Sequence, residues 1–266
     1  TEVIINQLNM IPKLIKLPVL KRLIPSISLR VLRILKKNRG YFKINDFEMY
    51  LDFLDPIDKE IILSQEFEKQ EIDFLIEQIK RKNINYFLDV GANCGYYSLK
   101  ISKEISNIKI LSFEPNIEAH HKFSKTLKKN LNLSKKIKLE NFGLSNKSAK
   151  LKMQSMLKFG YAQTGGSSII DEDSNEKNFL FFADFKIGDD YIKLTDEKIS
   201  IKIDVEGHEL SVLEGIKNII KKNQCILQIE IFSKNFEDVN NFLLSFGYKN
   251  FYEITHRSNY FYKNFS

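Results

Sequence analysis

Residues 85–98 read NYFLDVGANCGYYS, and this stretch decides the fold of the chain. Its apolar residues up to Val90 predict a strand, and Gly91 and Gly95 predict a tight loop. A helix is predicted from Tyr96, and its N-terminus presents unpaired N–H groups to a ligand. The loop reads G-x-N-x-G, which differs from the G-x-G-x-x-G turn of dehydrogenases and from the P-loop. The stretch therefore predicts a ligand site at the turn that is neither of these two.

A second motif, ILSFEP at residues 110–115, predicts the next strand and places Glu114 at its end. Glu114 follows Gly91 by 23 residues. A carboxylate about 20 residues after such a turn can accept hydrogen bonds from ribose hydroxyls. A lone glutamate at a strand end is commonly a surface residue. Together with the glycine turn, Glu114 indicates an adenosine-containing ligand bound over the first two strands.

A third motif, ISIKIDVEGHELSVLEGI at residues 199–216, predicts a strand that ends in Asp204 and a helix that begins near Gly207. This order places Asp204, Glu206 and His208 together at the carboxyl end of a central strand. Ligands of open α/β sheets bind at that edge. These three side chains are therefore candidates for the chemistry of the site.

Strand and helix patterns alternate through most of the chain. Strands are predicted at 86–90, 109–113, 137–142, 199–204 and 225–232, with one or two further strands in the tail at 248–262. Helices are predicted at 67–82, 96–106, 116–131, 208–222 and 235–246. This order predicts a doubly wound, mostly parallel α/β sheet, preceded by a short β segment and a turn near Asp55-Pro56. Over residues 144–198 strands and helices no longer alternate, and the pattern predicts a hairpin arm and a loop. A long insertion of this kind usually covers a site.

The positive charge of the chain is concentrated at its start. The net charge is +7 overall, but residues 1–40 carry +8 and the remainder carries −1. Prolines and scattered apolar residues predict a helical N-terminal extension in short pieces, ahead of one domain at 41–266. Cations interrupt every apolar run, which argues against a membrane span. No small-residue cleavage site follows, which argues against a secretory signal.

Two interpretations of the extension remain open. It either packs on the domain, which we favour because most such apolar stripes are core, or lies on an anionic membrane surface or a partner. The nearly neutral domain lacks the basic face expected of a nucleic-acid-binding protein, so no nucleic acid is expected as partner. The two cysteines, Cys94 and Cys225, are expected to be free thiols in a reducing compartment. We therefore expect a cytoplasmic protein, with contact to the inner membrane face as the alternative.

Four motifs together resemble the FkbM-type methyltransferases, a branch of the class I enzymes that use S-adenosylmethionine. DVGANCGYYS, FEP, GGSSI and KIDVEGHE occur in that family's order and spacing, and the approach segment with LDFLDPIDKEI and FEKQE matches as well. The resemblance covers about residues 41–245. The stretch FADFKIGDDYI departs from the Thr-Leu-Asp-like sequence usual in the family before the fourth strand. The resemblance implies a Rossmann-like fold and S-adenosylmethionine as cofactor.

The resemblance also implies roles for individual residues. The implied cofactor-binding residues are Asp89 for the methionine amino group, Gly91, Asn93 and Gly95 for the methionine part and its carboxylate, Ser98 in the same motif, Glu114 for the ribose hydroxyls, Asn141 near the adenine, and Asp204 facing the methyl-transfer centre. These expectations agree with the ligand site inferred from the glycine turn and the strand end.

The residues around Asp204 favour methylation of a hydroxyl group. A positioned base speeds such a transfer by about 10²–10⁴, and His208 is the side chain best suited to be neutral and proton-accepting near pH 7. Asp204 or Glu206 is expected to orient it. The alternative is that these three residues hold a divalent cation. We favour a site without metal, because a second set of ligands is not evident.

The expected acceptor is a sugar, glycan or glycan-like small molecule. Base-amine methyltransferases usually carry an Asn/Asp-Pro-Pro-aromatic turn after the fourth strand, whereas this chain has Asp-Val-Glu-Gly at 204–207. Two other classes stay open. An RNA- or protein-directed methyltransferase needs a basic or peptide-binding groove, and a non-catalytic protein that binds S-adenosylmethionine needs only the cofactor residues.

Overall fold

The computed structural model describes residues 38–158, 161–170 and 178–266. The predicted extension at 1–40 lies outside the described residues except for its last three positions. Its packing on the domain and its contact with a membrane both stay predictions. Within the described ranges, every helix is too short or too polar to cross a lipid bilayer.

Strands and helices follow one another along the chain after a first hairpin. The strands are β1 (Arg39–Ile44), β2 (Phe47–Asp52), β3 (Tyr86–Val90), β4 (Lys109–Phe113), β5 (Ile137–Glu140), β6 (Gly143–Ser145), β7 (Ala149–Lys158), β8 (Tyr161–Ala162), β9 (Ser168–Ile169), β10 (Asn178–Ile187), β11 (Lys198–Ile203), β12 (Gln224–Glu230), β13 (Lys249–Ile254) and β14 (Asn259–Lys263). The helices are α1 (Pro56–Ser64), α2 (Lys69–Lys82), α3 (Tyr96–Glu104), α4 (Ile117–Lys129), α5 (Leu131–Ser134), α6 (Gly188–Tyr191), α7 (Glu209–Gly215), α8 (Lys217–Lys222) and α9 (Phe236–Ser245).

The main sheet has the order β13-β14-β12-β11-β3-β4-β5. The five strands from β12 to β5 run parallel, and β14 is antiparallel to both of its neighbours. Successive residues of β3 point to opposite faces, so Phe87 packs into one apolar core and Leu88 into the other. The predicted doubly wound, mostly parallel α/β sheet is confirmed, with the site expected where β3 and β11 meet.

The segment before the main sheet is more regular than the sequence predicts. β1 and β2 pair as an antiparallel hairpin in place of a single β segment. The predicted turn near Asp55-Pro56 is confirmed, since the N–H of Asp55 donates to the carbonyl of Asp52 at 3.0 Å, and Pro56 then begins helix α1. The Asp55 carboxylate accepts hydrogen bonds from the N–H groups of Ile57 and Asp58, which caps the helix. Proline is suited to this first helical position because its missing N–H has no partner there.

The helix predicted at 208–222 is two helices, α7 and α8. The break lies at Ile216, whose φ of −115° and ψ of 21° are not helical. It follows Gly215, where a Cβ would lie 2.0 Å from the carbonyl oxygen of Ser145. The backbone of β6 therefore approaches the helix end closely, a long-range contact that periodicity alone does not reveal.

The insertion at 144–198 forms a second, smaller sheet of order β6-β10-β7-β8. β7 and β10 pair antiparallel over most of their length, which confirms the predicted hairpin arm. Near the main domain, Met153, Ala183 and Phe185 are buried against one another. Farther along the arm, Phe179 and Phe182 are exposed. The inserted sheet thus brings apolar side chains to the edge where the main strands end.

Candidate active site

A cavity of about 290 Å³ lies at the carboxyl ends of β3, β4, β11 and β12. Its polar lining consists of Glu68, Asn93, Glu114, Thr164, Ser167, Asp204, Glu206, His208 and Glu230. Met153 and Phe185 from the inserted sheet add apolar surface, and residues 164–167 form part of the wall. The insertion predicted to cover a site therefore does line one.

Gly91 lets the glycine turn close against the neighbouring strand. Its φ is +83°, and a Cβ would lie 1.9 Å from the carbonyl oxygen of Asp204. The Gly91 N–H donates to the carbonyl of Phe113 at 3.0 Å. A side chain at this position would thus force apart the strand ends that form the cavity wall.

Gly91→Ala is expected to lower the free energy of unfolding by about 2–5 kcal/mol. About 1–2 kcal/mol comes from the left-handed backbone, and about 1–3 kcal/mol comes from the steric clash. Gly247→Ala is the matched control, since Gly247 has a φ of +78° but a Cβ there would meet no atom of the described residues within 4 Å. Urea unfolding of both variants should show the larger loss for Gly91→Ala, and equal losses would contradict the close approach.

Three other predicted cofactor residues lie behind the cavity wall. Asp89 is buried, and its Oδ2 accepts a hydrogen bond from the Ser98 hydroxyl at 2.5 Å, while its Oδ1 has no partner within the described ranges. Gly95 has a φ of +84°, and a Cβ there would lie 2.2 Å from the ring of Phe123. Among the described residues, Asp89, Gly95 and Ser98 are not part of the lining. Their direct contact with a ligand stays a prediction.

Glu114 ties together the loops that follow β3 and β4. Its carboxylate accepts hydrogen bonds from the N–H groups of Asn93 and Asn116, each at 2.7 Å. Burial raises the pKa of Glu114 to about 7. Asn141 donates from Nδ2 to the carbonyl of Glu114 at 2.9 Å and so supports the same loop from behind. A carboxylate has about four lone-pair positions, so Glu114 keeps acceptor capacity toward the cavity.

Asp204 belongs to a charged group at the end of the two central strands. Its Oδ2 accepts a hydrogen bond from Nζ of the buried Lys202 at 2.7 Å, and its carboxyl also pairs with that of Glu230. Sequence reasoning missed Glu230. The sequence does contain a signal for it: Glu230 is an acid at the end of an apolar strand, and Glu114 has the same position directly after β4.

Glu206 and His208 complete the cavity on the side of helix α7. Glu206 adopts a left-handed backbone with a φ of 53°, which turns the chain into the helix. Burial and the nearby charges of Asp204 and Glu209 raise the pKa of Glu206 to about 7. Burial and the Lys147 ammonium lower the pKa of His208, so its ring is neutral at pH 7.

The predicted orientation of His208 by Asp204 or Glu206 is wrong. The His208 Nε2 lies 2.9 Å from the hydroxyl oxygen of Ser145 on β6, and the ring packs edge-on against Phe185 at 5.8 Å. Both contacts come from the inserted sheet. Within the described ranges, no hydrogen bond joins His208 to Asp204 or Glu206, and the Asp204 carboxylate is bound by Lys202 instead.

A buried ionic cluster holds the loop that lines the cavity. Lys122 on α4 donates to Asp58 Oδ2 at 2.6 Å and to the Thr164 hydroxyl oxygen at 2.7 Å. Thr164 in turn donates from its N–H and its hydroxyl to Asp55, each at 2.8 Å. We call these four residues the loop anchor. Sequence reasoning missed it, because a lysine in a polar helix is usually solvated.

Three solved structures are similar to this chain. Methyltransferase FkbM from Methylobacillus flagellatus KT is 18% identical, with 68% of this chain and 44% of that chain covered and a TM-score of 0.48. A putative rRNA methylase from Clostridium thermocellum is 11% identical, with 74% and 93% covered and a TM-score of 0.43. A putative caffeoyl-CoA O-methyltransferase from Staphylococcus aureus is 12% identical, with 73% and 82% covered and a TM-score of 0.41.

This chain spans less than half of the length of the FkbM structure. No curated protein matches the sequence at a significant level. The family described as the methyltransferase FkbM domain does match, over residues 89–249. This range is more than half of the chain and includes the glycine turn, Glu114 and the segment from Asp204 to His208. The chain therefore belongs to the FkbM family of methyltransferases.

Proposed function

We propose that this chain is an S-adenosylmethionine-dependent O-methyltransferase that modifies a hydroxyl of a sugar, glycan or glycan-like small molecule. One observation carries the proposal: a single cavity joins the glycine turn at Gly91 to Asp204, Glu206 and His208. Gly91, Asn93 and Glu114 thus line the same cavity as the candidate base, as a direct transfer between two bound molecules requires.

The lining suits the proposed cofactor. The buried Oδ1 of Asn93 has no hydrogen-bond partner within the described chain and can accept from the ammonium group of the methionine part. Glu114 offers its remaining lone pairs to the ribose hydroxyls. The carboxylates of the lining favour a ligand that carries positive charge.

When bound, S-adenosylmethionine supplies a methyl group that a hydroxyl oxygen can attack. The chain aligns the acceptor, and such positioning can supply about 7–11 kcal/mol. His208 is neutral, and we assign the tautomer in which Nε2 donates to Ser145, so that Nδ1 presents its lone pair. In this proposal, the acceptor proton moves to that nitrogen. Glu206 accepts a hydrogen bond from a second hydroxyl and so fixes the acceptor.

The surfaces near His208 favour a sugar-like acceptor. Met153 and Phe185 offer apolar surface of the kind that the C–H face of a sugar ring contacts. The chain outside residues 1–40 has a net charge of −1 and so lacks the excess of positive charge that is typical of RNA-binding proteins. Both features support a small neutral acceptor.

The test is a transfer assay with S-adenosylmethionine labelled in the methyl group. The acceptors are nucleotide-sugars and oligosaccharides, with RNA and a protein extract as comparisons. We expect label on a sugar hydroxyl. Label on RNA or protein would contradict the acceptor class, binding of the donor without any transfer would indicate a non-catalytic protein, and no binding would contradict the whole proposal.

A further inference from the structure

Three neighbouring strands arrange their last side chains in rows across the sheet. In the first row, Asp89, Lys202 and Gln228 are register partners. Residues two apart on a strand point to the same face, so the next row consists of Gly91, Asp204 and Glu230. The N–H of Asp204 still donates to the carbonyl of Val90 at 3.0 Å, which extends the pairing to this level. Asp204 and Glu230 therefore lie side by side, in the same row as Gly91.

This group of side chains holds more negative than positive charge. Lys202 is almost fully buried, donates to Asp204 and lies 4.7 Å from the ring centre of Tyr97. The charged groups that face it are Glu68 before α2, Asp89 on β3, and Asp204 and Glu230 at the strand ends, with Glu206 close to the last two. Among the described residues, Lys202 is the cation that faces this group, so protons or a cationic ligand must balance the remaining charge.

We infer that Asp204 and Glu230 share one proton in the free protein and that a cationic methyl donor displaces this proton when it enters the cavity. The inference rests on the proposed function and deepens it. It assigns to Glu230 the task of distinguishing the sulfonium form of the donor from the uncharged thioether that remains after transfer. The carboxyl group of Glu230 lines the cavity, and in its ionised form it attracts the positive charge of the donor.

The location of the shared proton follows from the neighbours of each carboxyl. Burial opposes ionisation of Asp204, but Lys202 holds the pKa of Asp204 below its ordinary value. Burial and the adjacent Asp204 raise the pKa of Glu230 to about 9. At pH 7 the proton is therefore on Glu230. A positive charge nearby stabilises the ionised form of Glu230 and lowers its pKa.

Thermodynamic linkage determines whether the affinity for S-adenosylmethionine rises or falls with pH. Binding that releases a proton becomes tighter as pH rises, by up to about tenfold per pH unit. The increase ends near pH 9, where free Glu230 is already ionised. S-Adenosylhomocysteine lacks the sulfonium charge, so its affinity should rise less over the same range. The thioether product is then held less tightly than the donor, which favours its release.

The experiment is isothermal titration calorimetry of the whole chain with S-adenosylmethionine and S-adenosylhomocysteine at pH 7 and pH 8. Each titration is run in phosphate and in Tris, because the difference in measured heat reports the protons released. For the unaltered protein we expect close to one proton released and an affinity gain of about fivefold to tenfold for S-adenosylmethionine. In Glu230→Gln, the gain should be several-fold smaller than in the unaltered protein, since only the shares of Glu114, Glu206 and the donor itself remain.

The matched control is Glu140→Gln. Glu140 also ends a parallel strand but lies against Lys138 and Tyr191, outside the cavity lining. It should keep the full pH dependence. Any titration of the donor's own amino group is common to all three proteins and cancels in the comparison.

Each outcome decides one point. An unchanged pH dependence in Glu230→Gln would overturn the inference and leave the proposed function intact. Failure of S-adenosylmethionine to bind the unaltered protein would overturn the proposed function and the inference with it. Should Glu230→Gln fail to fold, equal proton release with S-adenosylmethionine and S-adenosylhomocysteine in the unaltered protein would still overturn the inference.

Discussion

Lys122→Met is expected to lower the free energy of unfolding by about 3–5 kcal/mol, the usual cost of removing one partner from a buried ion pair. Lys122 is 3% exposed and Asp58 is 0% exposed. The Lys122 ammonium also lies 3.8 Å from Asp55. Without it, two buried carboxylates face each other with no cation. Even with Lys122 present, burial raises the pKa of Asp58 to about 6.

Chemical denaturation of two further variants separates this effect from the loss of any lysine. Lys80→Met removes an exposed pair with Glu104 and should cost less than about 1 kcal/mol. The double variant Lys122→Met with Asp58→Asn should recover part of the loss, because it removes a buried charge together with its partner. A Lys122→Met protein as stable as Lys80→Met would refute the role of the loop anchor.

His208→Ala is expected to reduce kcat by about 10²–10⁴, the contribution of a positioned general base. The structure leaves the ring neutral at pH 7, since burial and Lys147 lower the pKa of His208. The unaltered enzyme should lose activity as pH falls through that lowered pKa, because the protonated ring cannot accept a proton. The variant should lack this acidic limb in its pH profile.

Donor affinity distinguishes catalysis from folding in this experiment. His208→Ala should bind S-adenosylmethionine within about twofold of the unaltered protein, since Glu114 and the glycine turn remain in place. His256→Ala is the matched control, because His256 is exposed in a turn before β14, and its kcat should be unchanged. A His208→Ala variant with normal kcat and an intact acidic limb would remove His208 from the mechanism while leaving the enzyme class unaffected.

Some features of the site could be predicted because their causes are local. An apolar strand followed by a glycine or an acid is visible in a few consecutive residues, and this places Gly91, Glu114 and Asp204 at strand ends. The helix starting at Tyr96 is equally local. Residues 144–198 were correctly expected to line a site because strands and helices stop alternating there. These signals need no knowledge of which strands are neighbours.

Other features could not be predicted because they depend on contacts between distant parts of the chain. Ser145, the partner of His208, lies 63 positions away. Thr164 lies 109 positions from Asp55. Patterns of apolar and polar residues show which face of an element is buried but do not identify the side chain opposite. The orientation of His208 was wrongly predicted for this reason, since its neighbours in sequence point elsewhere.

The sequence by itself determined the alternation of strands and helices in the main sheet, the glycine turn and the two strand-ending acids Glu114 and Asp204, because each follows from the chemistry of adjacent residues. Only the tertiary structure decided which acids share a proton, which residue holds the histidine and what anchors the cavity loop. Strand register placed Asp204 beside Glu230 and above Lys202. Burial then altered their proton affinities, an effect that depends on the surrounding fold and not on the residues alone.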